Sequence, residues 1–119
     1  MRYMLLIYER EGAWATMSQD EQGKIYGEYM AFTEDIRRKQ QYVSGAPLQP
    51  TRTATTVRVR DGKVVPTDGP FAETREQLGG YYLVEARDLD EAISLAARIP
   101  AARNGAIEVR PVMEIPAQS

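Results

Sequence analysis

The 119-residue sequence contains no cysteine and no histidine, and only one tryptophan and two phenylalanines. The missing residues exclude Ser-His-Asp and cysteine nucleophiles, disulfides, zinc fingers and histidine-ligated haem. Acid–base chemistry would have to come from carboxylates, tyrosines or lysines with shifted pKa values. Without cysteine and histidine, we expect no cofactor and no metal site. The Asp-x-Asp pattern of Asp88 and Asp90 does not indicate a carboxylate metal site, because it lies at a helix start and is explained by capping.

The sequence also lacks an excess of basic residues and long apolar runs. A net charge of −2 leaves no basic surface for nucleic acid. No apolar run reaches the ~18–20 residues of a membrane span, and the first residues show no signal-peptide pattern. We expect one cytoplasmic domain over residues 1–119, with a flexible tail over residues 114–119.

Apolar patterning predicts several strands. A continuous apolar run over residues 3–8 is typical of a strand covered on both faces. Alternation over residues 53–60 predicts a strand that Asp61-Gly62 joins to a short return strand, which Pro66 ends. Two further strands are predicted over residues 80–86 and 106–112. The glycine- and proline-rich residues 43–50 predict a loop.

Two capping boxes predict helices. Ser18 with Glu21 opens the first helix, and Asp88 with Glu91 opens the second, which Pro100 ends. The apolar stripe expected to be buried on the first helix consists of Ile25, Tyr29, Phe32 and Ile36. On the second helix we expect burial of Leu89, Ala92, Ile93, Ala96 and Ile99.

The predicted order is strand, helix, hairpin, strand, helix, strand. With the return strand as an insertion, it indicates an α+β ferredoxin-like domain: an antiparallel sheet, two helices on one face and an extra β-hairpin. Tyr81 and Leu83 alternate with Tyr82 and Val84, so large apolar side chains lie on both faces of this strand, including the face without helices. We expect a second copy to cover it in a homodimer with a closed interior. The alternative is a monomer with a partly apolar surface.

The same open face also carries polar residues. Glu108 and Arg110 alternate with apolar residues, and Arg58 is expected to approach across the sheet. We predict that they bind a small polar or anionic molecule: the arginines neutralise its charge, Glu108 orients Arg110, and Tyr8 or Tyr82 donates a hydrogen bond. In the alternative interpretation, Glu108 and Arg110 form a structural ion pair at the dimer rim.

The loop Asp68-Gly69-Pro70-Phe71 supplies a further candidate. Gly69 permits a positive φ, Pro70 stiffens the loop, and Phe71 is expected to anchor it in the core. Asp68 is either a turn cap or a rigidly held catalytic base at a pocket mouth.

Residues 68–82, DGPFAETREQLGGYY, closely resemble the signature of the YCII-related family, in its branch named after the DGPF motif. The agreement extends to residues 1–4, 56–63, 88–92 and 108–112. The resemblance implies a ferredoxin-like fold and pairing into a dimeric α+β barrel. Some relatives have been proposed to be enzymes that use a His–Asp pair in the barrel pocket. In bacteria, members are often encoded beside extracytoplasmic-function sigma factors.

Asp68 matches the motif aspartate of this branch, but a chain without histidine cannot use the His–Asp pair. Arg75 stands where many relatives carry lysine, which keeps the charge and changes its geometry. Two hypotheses remain. In the first, a cofactor-free protein binds, and turns over, a small polar metabolite with Asp68 as base. In the second, a regulatory module binds a sigma factor or another protein through a surface around Trp14 and Met17.

Overall fold

The computed structural model describes residues 1–116, and its main unit is a four-stranded antiparallel sheet. The strands of this sheet are β1 (Arg2–Arg10), β2 (Tyr42–Pro47), β5 (Glu76–Glu85) and β6 (Ala106–Pro111). The two helices are α1 (Gln19–Arg38) and α2 (Leu89–Ala97), and a separate hairpin consists of β3 (Thr55–Arg60) and β4 (Lys63–Asp68). The strand order β2-β5-β1-β6 is that of a ferredoxin-like α+β domain, which confirms the predicted fold class.

One side of β1 forms the centre of the core. Tyr3, Leu5 and Ile7 are buried against the helices, whereas the alternate side chains are only half-buried. The expectation that β1 is covered on both faces is therefore met on one face only. Within residues 1–116, no helix is both long and apolar enough to cross a membrane, and no three Asp or Glu side chains gather closely enough to hold a metal ion.

The predicted loop over residues 43–50 is wrong, because Tyr42–Pro47 form β2 at the edge of the main sheet. The strand predicted near residues 53–60 instead belongs to the separate hairpin. Gly45 shows why glycine suits β2: a Cβ there would lie 2.9 Å from the Tyr81 carbonyl oxygen. In this strand, glycine permits close backbone approach instead of marking a loop.

The hairpin has the predicted two-residue turn, with φ of 53° at Asp61 and 75° at Gly62. Pro66 does not end the second strand, which continues to Asp68. Counting from the turn, the Val57–Pro66 pair occupies a position where neither residue donates a hydrogen bond across the hairpin. Proline costs no cross-strand hydrogen bond there.

The N-cap half of each predicted capping box is confirmed. The Glu21 amide donates to Ser18 Oγ at 3.1 Å, and the Glu91 amide donates to Asp88 Oδ1 at 2.9 Å. On α1 the predicted stripe faces the core, with Phe32 and Ile36 buried.

The buried face of α2 differs from the prediction. Leu89 and Ile93 are exposed, whereas Leu95 is buried. The buried residues Ala92, Ala96 and Ile99 are as expected. With 3.6 residues per turn, this face leaves Ile93 about a third of a turn away from the sheet. In the predicted tail, residues 114–116 form no helix or strand, and residues 117–119 lie outside the described residues.

Candidate functional site

The face of the main sheet opposite the helices has an apolar centre. The register pairs Met4 with Leu83 and Leu6 with Tyr81, and all four side chains are half-buried. Alternation places them opposite the buried set of Tyr3, Leu5 and Ile7. Of the two alternating pairs, Tyr81 and Leu83 are therefore the ones on the open face, a point that the sequence had left undecided.

A β-bulge shapes one end of this face. Ile7 pairs with Gly80 and Tyr8 pairs with Leu78, so Gly79 is the extra residue of β5. A bulge increases local twist and redirects the strand. The first residues of β5 and the preceding turn consequently lie beside Tyr8.

A cleft of about 550 Å³ opens at this end of the sheet. Its volume is in the range of small-molecule binding sites. The residues that line the cleft are Tyr8, Thr74, Arg75, Glu76, Ala106, Ile107 and Glu108. A phenol, a hydroxyl, a guanidinium and two carboxylates therefore surround one space.

The two arginines near the cleft differ in their pairing. Arg110 Nη2 donates to Glu108 Oε2 in an ion pair along β6, so Glu108 already has a cationic partner. Among residues 1–116, no carboxylate forms an ion pair with Arg75. Arg75 is the cleft cation whose charge remains available to a ligand.

Local hydrogen bonds hold the segment that carries Arg75. The Thr74 hydroxyl donates to the Glu76 carbonyl, and Gln77 Nε2 donates to the Thr74 carbonyl at 2.6 Å. These bonds close a compact turn immediately before the paired part of β5. The turn positions the Arg75 side chain at the wall of the cleft.

Of the residues predicted to form the site, the structure brings Tyr8 and Glu108 together and adds Arg110 through its ion pair. Tyr82 lies on the other side of the sheet. It is 8% exposed, and its hydroxyl lies 2.8 Å from Thr33 Oγ1. The expectation that Tyr82 donates to a ligand on the open face does not fit this placement, because alternation along β5 turns it towards α1.

Arg58 and Asp68 lie on the separate hairpin and do not line the cleft. The Arg58 guanidinium carbon is 5.3 Å from the centre of the Phe71 ring. Phe71 is 77% exposed, so the prediction that it anchors the loop in the core is wrong. The loop is held by the backbone instead, since the Gly69 amide donates to the Ala54 carbonyl at 2.8 Å.

Gly69 has a φ of 102°, which confirms its predicted role in the turn. The Asp68 carboxylate is exposed and, within residues 1–116, accepts no hydrogen bond from the turn. Neither the turn-cap interpretation nor a place in the cleft agrees with this position.

Sequence reasoning missed Thr74 and Glu76, and it noted Arg75 only as a replacement for lysine, without placing it in a site. All three belong to the same motif as Asp68, so the motif itself was the available signal. Their approach to Tyr8 depends on the bulge at Gly79 and on the β1–β5 register. Neither feature is visible in a strand pattern.

A second, smaller cleft of about 150 Å³ lies on the helix side, next to Trp14 and Met17. Burial raises the pKa of Glu9 above its ordinary value there, and burial together with the nearby Glu9 raises the pKa of Tyr29 to about 12. Its volume is below that of typical small-molecule sites. Trp14 and Met17, the residues of the expected protein-binding surface, line this narrow depression.

A family model for the YCII-related domain matches residues 1–116. The chain belongs to the YCII-related family. An uncharacterised protein from Rhizobium meliloti (strain 1021) is 35% identical over 114 residues, which cover 94% of this chain and 92% of that protein. Among solved structures, 5-chloro-2-hydroxyhydroquinone dehydrochlorinase from Burkholderia phenoliruptrix AC1100, in complex with 2,5-dihydroxybenzoquinone, has a similar fold. Its TM-score is 0.54 at 16% identity, with 95% of this chain and 94% of that chain covered.

Proposed function

We propose that this YCII-related protein binds a small polar or anionic molecule in the cleft beside Tyr8, with Arg75 as the main cationic contact. The observation that carries the proposal is the cleft itself. The cleft has a volume of about 550 Å³ and is lined by a tyrosine, two carboxylates and an arginine that has no ion-pair partner among residues 1–116. Such a combination fixes both the charge and the orientation of a ligand.

Each cleft residue has a distinct part. The planar guanidinium of Arg75 forms two parallel hydrogen bonds with a carboxylate, or hydrogen bonds that converge on the single oxygen of a phenolate. Tyr8 donates a hydrogen bond, and Arg110 orients Glu108. For turnover, Glu76 and Glu108 are the carboxylates placed to exchange a proton with the ligand. Asp68, the base predicted from the sequence, lies outside the cleft.

The structurally similar dehydrochlorinase supports the choice of ligand class. Its name specifies a hydroxylated ring compound as substrate, and its solved structure contains a dihydroxyquinone. A hydroxylated ring offers an acidic hydroxyl to Arg75 and further hydroxyls to Tyr8 and Glu76. For the present chain we therefore propose a hydroxylated aromatic or quinoid anion.

We also propose that a second copy covers the open face in a homodimer. Met4, Leu6, Tyr81 and Leu83 form an apolar centre that none of the described elements covers. Sedimentation equilibrium should give twice the 13.4 kDa of one chain. The sigma-factor alternative is not carried forward, because neither the family model nor the two relatives named above point to a sigma factor.

The ligand proposal is tested by titration calorimetry with 2,5-dihydroxybenzoquinone as the probe. We expect the wild-type chain to bind it and Arg75→Gln to weaken the affinity by about tenfold or more, since hydrogen bonds to charged groups contribute about 1.5–3 kcal/mol. Arg52→Gln, which removes an exposed arginine outside the cleft, should leave the affinity unchanged. Equal affinities of wild type and Arg75→Gln would contradict the proposed site. No binding by wild type would contradict the proposed ligand class.

A further inference from the structure

Two of the three residue pairs on one face of the β3–β4 hairpin are apolar, and the third pair is Thr55 with Asp68. The register pairs Val59 with Val64 and Val57 with Pro66, and side chains of paired residues share a face. Val57, Val59 and Val64 are 59%, 59% and 68% exposed, and Pro66 is exposed as well. Three valines and a proline form an apolar surface that residues 1–116 leave exposed.

The opposite face of the hairpin differs in chemistry. It pairs Arg60 with Lys63 and Arg58 with Val65, so it carries three cationic side chains. Charged side chains are well solvated, so that face can remain exposed to water. The hairpin is thus amphipathic. In a single chain all its residues from Val57 to Asp68 are exposed, including those of the apolar face. A two-stranded hairpin is marginally stable in water unless a face packs against something.

The whole chain exposes more surface than a compact monomer of its mass. Its accessible area is 8873 Å², whereas about 6,500 Å² is expected for a folded monomer of this mass. The excess of roughly 2,400 Å², to which the exposed residues 112–116 also contribute, lies at the upper end of the ~1,000–2,500 Å² that one protomer buries in an obligate homodimer. The radius of gyration, 16.6 Å, also exceeds the ~13.5 Å of a compact domain of this length.

We propose that the β3–β4 hairpin is an arm whose apolar face, formed by Val57, Val59, Val64 and Pro66, packs against a second copy of this chain. The occupant is a second copy because the exposed area is large enough for an obligate dimer interface and because the inference rests on the homodimer proposed above, in which a second copy covers the open sheet face. In a symmetric dimer each arm contacts the partner, so the apolar faces of both arms are covered. The cationic face of each arm remains in water.

The first test compares two lysine substitutions on opposite faces of the same strand pair. Val59→Lys places a charge in the proposed contact and should weaken dimerisation by about a hundredfold, because a symmetric interface loses the side chain twice. Val65→Lys lies on the cationic face and should leave the dimer intact. Sedimentation equilibrium reads the dissociation constants, and circular dichroism confirms that both variants fold.

The second test uses the absence of native cysteine, which makes any introduced thiol the only one in the chain. Val59→Cys and Val65→Cys are labelled with a bulky maleimide. In a single chain Val59 is more exposed than Val65, at 59% against 42%, which favours faster labelling at position 59. In the proposed dimer the order reverses, and position 59 should react at least tenfold more slowly than position 65.

A monomeric wild-type chain would overturn the proposal. So would a Val59→Lys dimer as tight as wild type, equal weakening by both lysine variants, or faster labelling at position 59 than at position 65. The inference does not depend on ligand binding. Loss of quinone binding in Arg75→Gln with an unchanged dimer tests the cleft alone, and a dimer insensitive to Val59→Lys rejects only the arm.

Discussion

At the scale of single residues, Tyr82 illustrates how the fold assigns a side chain. Its neighbours Tyr81 and Leu83 face the open side, but Tyr82 points into the core. There its ring packs edge-on against Phe32, with centroids 5.3 Å apart, and its hydroxyl pairs with Thr33. Burial raises the pKa of Tyr82 above its ordinary value.

Tyr82→Phe should lower the free energy of unfolding by about 1 kcal/mol, because it removes one buried hydrogen bond between neutral groups. It should leave the affinity for 2,5-dihydroxybenzoquinone unchanged, since Tyr82 lies away from the cleft. Urea denaturation and calorimetry measure the two quantities. Tyr26→Phe, on the exposed side of α1, is the control and should change neither. Weaker ligand binding in Tyr82→Phe without a change in stability would show that Tyr82 contacts the ligand after all.

At the scale of elements, close backbone approach decides where two strands of the sheet can lie. Gly45 lets β2 approach β5, and Gly105 lets the turn before β6 approach the end of β1. A Cβ at position 105 would overlap the Tyr8 carbonyl oxygen and lie 3.1 Å from Glu9 Cα. These neighbours are backbone atoms, so no side-chain rotation relieves the overlap.

Gly105→Ala should therefore destabilise the fold by about 2 kcal/mol or more, the range of an overpacked site. The matched substitution Gly23→Ala should stabilise it by about 1 kcal/mol, because that glycine lies within α1 with open space around its Cα. Thermal or urea unfolding gives both values. Equal effects of the two alanines would show that the approach of β6 to β1 is looser than described.

At the scale of the whole molecule, three carboxylates connect parts of the chain that are distant in sequence. Glu11 accepts hydrogen bonds from Thr51, Asp35 accepts one from Arg98 at 2.6 Å, and Glu85 accepts one from Arg2 at 2.9 Å. These hydrogen bonds lower the pKa of each carboxyl below its ordinary value. A carboxyl whose pKa is lowered by folding stabilises the native state above its unfolded pKa and loses that contribution as the pH falls through its folded pKa.

Stability should consequently decline on acidification between about pH 5 and pH 2. Asp35→Asn should make that decline shallower, because the side chain that ties the end of α1 to Arg98 no longer titrates. Denaturation curves recorded across this pH range measure the slope. Glu34→Gln removes an exposed neighbouring carboxylate and should leave the slope as in wild type. An unchanged slope in Asp35→Asn would mean that the unfolded chain holds Asp35 at the same pKa.

Local chemistry made several elements predictable from the sequence. Ser18 and Asp88 determine helix starts because their side-chain oxygens satisfy free amides of the first turn. Asp61-Gly62 determines a hairpin turn because both residues accept a positive φ. The alternation along β6 correctly placed Glu108 with Arg110 on one face. Each of these signals involves residues that are close in sequence, so it can be recognised without knowledge of the tertiary structure.

The tertiary structure alone decided what depends on pairing between distant segments. It made Tyr42–Pro47 a sheet strand, because pairing with β5 outweighs the effect of Gly45 and Pro47. It also brought Arg75 to Tyr8 through the bulge at Gly79, and left Asp68 outside the cleft. The sequence determined the fold class and the residue types of the site, because both follow from local pattern. The membership of the site followed from strand register, which is a property of two segments and appears in neither one alone.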